Sequence, residues 1–162
     1  MTLIELMIAM VVLLVGVVGS MALVALSIGS NGRSRQQSNS TAVAQLMTEK
    51  ISSVKATTNP NLTVTDCVGN NATISTTATG GSPLTSSGDV DFTQAAVTNY
   101  RMLYVDCSTN GRQITYDVRW NIQQTTNFVK FLTVSAKMQN AGGDAKYFSR
   151  PVTIRTLVGQ GT

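Results

Sequence analysis

The sequence predicts an α+β fold: one long N-terminal α-helix, its hydrophobic half projecting, packed through its second half on a four-stranded antiparallel sheet. Three observations carry this expectation. Between Glu5 and Arg33 there is no charged residue, and only Gly16, Gly19, Ser20 and Ser27 interrupt the aliphatic and Met content of the 23-residue run Leu6–Ile28. Beyond it, Val43, Leu46, Met47, Ile51 and Val54 recur every three to four residues, the spacing of one helical stripe. From Tyr100 onward the apolar period becomes two, as in Ile114, Tyr116, Val118 and Trp120.

Composition excludes most catalytic chemistry. The 162 residues suit one globular unit, and the 12% of charged residues is about half the share usual in soluble domains. With no histidine, the Ser-His and Cys-His nucleophile pairs and His-bearing zinc sites are impossible. The two cysteines stand 40 positions apart, which rules out a four-thiolate site and a Cys-x-x-Cys redox motif. No glycine-rich phosphate loop occurs. We therefore expect no catalytic residue, no metal and no cofactor, and a protein that is not an enzyme.

The N-terminal run is long enough to span a bilayer, which takes ~20 apolar residues. It exceeds the ~7–15 residues of a cleavable signal core and is apolar on every side, so it is not a core helix of a small domain. Residues 1–30 are thus expected to form a transmembrane half. Residues 31–56 form an amphipathic half, 57–99 a connector and 100–162 the sheet, with 31–162 one globular unit. A helix from Thr2 to Ala56 would measure about 80 Å, with Thr57-Thr58-Asn59-Pro60 ending it. Gly16, Gly19, Gly29 and Gly32 are either close-packing positions or points where the helix unwinds.

Orientation is in conflict with the charges. Arg33 and Arg35 follow the apolar run and no cation precedes it, which by the positive-inside rule puts the rest of the chain in the cytoplasm. The cysteines and the Thr/Ser-rich connector point the other way. A short basic leader, once ahead of Met1 and since removed, would resolve the conflict.

The segment Met1-Thr2-Leu3-Ile4-Glu5-Leu6-Met7-Ile8-Ala9-Met10 resembles the mature N-terminus of type IV pilins and of type II secretion pseudopilins. The likeness is close over positions 2 to about 15 and looser to about 56. It implies cleavage by a prepilin peptidase, N-methylation at Met1, and residence in the bacterial inner membrane as a precursor. It further implies polymerisation with other pilin subunits, by the pilus assembly machinery, into a cell-surface filament. In such a filament Glu5 would pair with the Met1 amine of a neighbouring subunit. Read without the resemblance, Glu5 lies only about one turn from the helix end and could equally sit among lipid headgroups. Met1 stands where the family usually has phenylalanine, and Ala22 replaces a proline common in the anchors of major pilins. The missing proline favours a minor pilin, and the run Val11-Val-Leu-Leu-Val-Gly16 looks more like minor pilins and some pseudopilins. An alternative class is a single-pass membrane protein whose periplasmic binding domain never polymerises.

The connector is rich in Ser and Thr, with 13 of residues 57–88 of these types. Asn61-Leu-Thr63 and Asn71-Ala-Thr73 match the N-glycosylation acceptor pattern, although a Thr-rich surface loop accounts for them equally. Cys67 and Cys107 are expected to pair in an oxidising compartment, closing a loop worth ~4 kcal/mol in the chain-entropy model. Pilins often carry such a bridge near the C-terminus, whereas this one would end 55 residues short of it.

Strands are expected at Tyr100–Val105, Gln113–Asn121, Asn127–Lys137 and Tyr147–Val158, as a meander whose apolar face covers the Val43–Val54 stripe. Asn110-Gly111 and the Asn140–Asp144 segment supply turns. All nine aromatic residues lie at Phe92 or later and read as core and sheet surface. Beyond residue 32 there are 12 basic and 7 acidic groups, a balance of +5, which raises DNA as a partner. Phosphate binding needs Arg112, Arg119, Lys130, Lys137, Lys146, Arg150 and Arg155 to share a face, and scattered strand-surface cations are the commoner arrangement.

Overall fold

The computed structural model describes residues 2–55, 60–107, 113–139 and 150–159. Helix α1 runs from Leu3 to Ser52, and the chain divides between Arg35 and Gln36 into two compact units. The first unit is helix alone. Its four glycines leave the helix uninterrupted, and none has a neighbour within 4 Å of where a Cβ would stand. The Ser20 hydroxyl donates to the Gly16 carbonyl at 2.9 Å, so the run's one mid-segment hydroxyl is satisfied within the helix.

The second unit is built around the stripe the sequence marks. Val43, Ala44, Met47 and Ile51 of α1 are buried in one cluster with Tyr116, Val118, Trp120, Ile122, Leu132, Val134 and Ala136. Leu46 packs at its margin. The helix stops at Ser52, earlier than Ala56, because its hydrogen bonding tightens there: Ser53 N–H still reaches Glu49 O, but Val54 N–H turns to Ile51 O. Thr57, Thr58 and Asn59, expected to end the helix, lie outside the described residues.

The segment expected to be an irregular connector instead contains strands. β1 (Asn61–Thr65) and β2 (Asn71–Ser75) form an antiparallel hairpin, and their inward Val64 and Ile74 join the core. Asp66 makes the turn: its carboxylate accepts the N–H groups of Val68 and Asn70 and the Asn70 side-chain amide. The two-residue β3 (Gly80–Gly81) follows.

β4 (Arg101–Cys107), β5 (Gln113–Thr126), β6 (Val129–Met138) and β7 (Val152–Gly159) pair in series, each antiparallel to the next. The expected meander is therefore present, but its sheet has five strands and not four. β3 adds to the stretch of β5 that β4 leaves unpaired, with Gly81 opposite Asn121. Gly81 has φ +134°, and a Cβ there would come within 2.5 Å of the Asn121 Cα, so only glycine permits this pairing. β5 runs to Thr126, past the expected Asn121, since the polar Gln123–Thr126 segment is still held by pairing to β6. β7 begins at Val152, and Tyr147, its expected start, lies outside the described residues together with the Asn110-Gly111 and Asn140–Asp144 turns.

The sheet's second face is covered as well. Ser82 N–H bonds Trp120 O, Arg119 donates to Gln94 O at 2.9 Å, and Arg155 donates to Ser87 O and Asp89. Residues 82–94 are thus strapped over that face, and Asp117, Arg119, Thr133 and Ser135 are buried beneath them.

Candidate functional site

The largest unexplained surface lies on the first unit. Every residue from Thr2 to Gly32 is exposed, including side chains as apolar as Leu13 (65%), Leu23 (70%) and Ile28 (69%). Burying one such side chain is worth ~1.5–3 kcal/mol, so this surface is stable only against another apolar phase. α1 is long and apolar enough here to cross a membrane. A shallow groove along one side, between Leu13 and Ile28, is floored by Gly16, Ser20 and Ala25.

Glu5 stands at the start of this surface. Its carboxylate accepts the Thr2 N–H at 3.4 Å, while the Glu5 N–H bonds Thr2 O at 3.1 Å. Thr2-x-x-Glu5 is thus half of a capping box, in which the third helical residue reaches back to an orphan backbone donor. The sequence carries this signal as Thr followed three residues later by Glu. Met1, the expected methylation site and ion-pair partner of Glu5, lies outside the described residues.

Cys67 and Cys107 are joined in a disulfide, with Cα atoms 5.9 Å apart. The bond ties the β1–β2 turn to the end of β4, where the Cys67 N–H also reaches Val105 O. Asn61 and Asn71 are both exposed. The hairpin register places them, with Thr63 opposite Thr73, on its outward face, while Leu62 and Ala72 turn toward the core.

The cations are largely engaged within the chain. Arg101 and Arg119 both bond the carboxylate of Asp117, at 2.8 and 3.0 Å. The Arg119 guanidinium also lies 4.9 Å from the Phe92 ring centre, and Lys137 sits 5.8 Å from the same ring. Arg155 pairs with Asp89. Lys130 is buried and donates to Thr76 O, and this burial lowers its pKa. Arg112 and Lys146 lie outside the described residues. Among the described residues no group of three metal-ligating side chains comes together.

Comparison with known proteins adds no relative: no family model matches the chain, and neither does any curated protein or solved structure.

Proposed function

We propose that this chain is the structural subunit of a type IV pilus-like filament. It would be held in the bacterial inner membrane by its N-terminal helix and polymerise with other copies through that helix. The observation that carries the reading is the fully exposed apolar helix with one carboxylate at its start, joined to an α+β unit whose own core is complete. The composition, which leaves no catalytic constellation, agrees with a structural and non-enzymatic role. A minor pilin or pseudopilin that primes or decorates a filament is the same reading at lower copy number.

A second reading, a membrane-anchored domain that never polymerises, is favoured by one observation: Glu5 already has a partner in its own helix. Two substitutions separate the readings. Glutamine can serve the capping box as glutamate does, but it carries no charge to pair with a neighbour's amine. A filament subunit should lose filaments in both Glu5→Gln and Glu5→Ala while still inserting into membranes, as scored by electron microscopy and membrane fractionation. If Glu5→Gln assembles normally, Glu5 acts as a cap and the ion-pair assignment is wrong. Absence of filaments from the unaltered chain, expressed with an assembly system, would favour the plain anchor.

A further inference from the structure

Glu5 and two arginines are the charges of the first unit, and they bracket its apolar surface. The sequence places positive charges at 33 and 35 with nothing charged between them and Glu5. Arg35 is exposed and makes no hydrogen bond or ion pair among the described residues. Its neighbours one turn away along the helix, Asn31, Gly32, Ser38 and Asn39, are uncharged.

The spacing matches a bilayer. Leu6–Ile28 measures about 34 Å along the axis, close to the ~30 Å hydrocarbon core. Residues 33 and 35 follow Ile28 by about 7 and 10 Å, at and just beyond the outer limit of a headgroup layer about 5–8 Å deep, within reach of a long side chain. An arginine there can draw its stem back along the helix and keep its guanidinium at the level of the lipid phosphates. The planar fork pairs two N–H donors with two phosphate oxygens, which a compact ammonium does not do. Positions 33 and 35 are some 200° apart around a helix, so together they form a collar rather than a one-sided patch.

We propose that Arg33 and Arg35 form a headgroup-binding collar selective for anionic phospholipids, which sets how deep the anchor sits in the bilayer. This inference rests on the membrane half of the function proposed above and not on polymerisation. The ligand is the phosphodiester of a bilayer lipid with net negative charge, such as phosphatidylglycerol.

The test uses the full chain reconstituted in phosphatidylcholine vesicles with trace spin-labelled lipid. Electron spin resonance measures the share of label immobilised at the protein. Phosphatidylglycerol should associate about fivefold or more over phosphatidylcholine, the scale set by one basic residue at an anionic surface. Raising salt from 0.1 to 1 M shortens screening from ~10 to ~3 Å and should shrink that preference. Arg33→Gln with Arg35→Gln should bring the ratio to one, whereas Arg33→Lys with Arg35→Lys should keep part of it. Equal association in the unaltered chain, or a preference that survives the double Gln variant, overturns the proposal. If neither label is immobilised, the chain is not in the bilayer, and the membrane reading falls together with the collar. A chain that immobilises lipid but never forms filaments leaves the collar standing and removes only the polymerisation.

Discussion

At the scale of single residues, buried polar groups divide into the satisfied and the unsatisfied. Tyr116 is fully buried, and its hydroxyl has no hydrogen-bond partner of adequate geometry, although the Asn39 side chain lies beside it. A buried hydroxyl without a partner costs ~1–3 kcal/mol, so removing it relieves a penalty while leaving the ring packed. Tyr116→Phe should therefore be neutral or stabilising by up to about 1 kcal/mol. Denaturant unfolding in detergent micelles, followed by the fluorescence of the single tryptophan Trp120, measures it, and a loss of stability would show that the hydroxyl is bonded. Asp66 is the satisfied counterpart. Burial alone would raise its pKa, but the Asn70 side chain and the backbone N–H groups of Asn70 and Val68 outweigh that and hold it below the ordinary 3.8. Asp89, through Ser87 and then Arg155, and Asp91, through Thr93, are lowered too. A depressed carboxylate stabilises the fold fully above its unfolded pKa, and that stability is lost as pH falls through the folded value. Stability should thus be flat near neutrality and fall steeply below about pH 3.8, more shallowly in Asp66→Asn. Unfolding curves between pH 2 and 6 give the slope directly.

At the scale of elements, the disulfide is what turns a Thr-rich segment into part of the fold. The β1–β2 hairpin is short, and an isolated two-stranded hairpin is marginal in water. Val64 and Ile74 give it an apolar footing, and Cys67–Cys107 removes the freedom of the 40-residue separation it closes. In the chain-entropy model that constraint is worth ~4 kcal/mol. Replacing Cys67 and Cys107 with serine should lower unfolding stability by about that amount or somewhat less. Hydrogen exchange should quicken first in Asn61–Ser75, before the β5–β6 pairs. Uniform quickening across both sheets would mean that the bond stabilises the unit globally and not through the hairpin.

At the scale of the whole molecule, the deciding quantity is the apolar surface of Leu3–Ile28. The chain itself leaves it exposed, and a filament of the kind proposed would bury it against the same segment of other copies. Assembly driven in this way is hydrophobic, and salt does not weaken it. Filaments of this chain should survive 1 M salt and dissolve in detergent, which competes as an apolar phase. Sedimentation after each treatment distinguishes the outcomes. Filaments that fall apart in salt and persist in detergent would place the holding contacts on the globular units.

Much of this was readable before any coordinates. An uncharged 23-residue run is long and apolar enough to cross a membrane as a helix, the form in which a single segment satisfies its own backbone in lipid. The α1 stripe and the β5 alternation follow from helical and strand periods, and both reappear in one core. The pairing of the two cysteines follows from their even number once an oxidising compartment is assumed. What tertiary structure alone decided involves partners distant in sequence. The polar Thr-rich segment folds as a hairpin because its sparse apolar residues meet a core made elsewhere. β3 exists because two glycines let a backbone approach β5, as no local pattern announces. Arg101, Arg119 and Arg155, which the sequence counts toward a basic excess, are held by the carboxylates of Asp117 and Asp89. Local periodicity records which face of an element is apolar, whereas what a charge or a glycine does depends on what the fold brings against it.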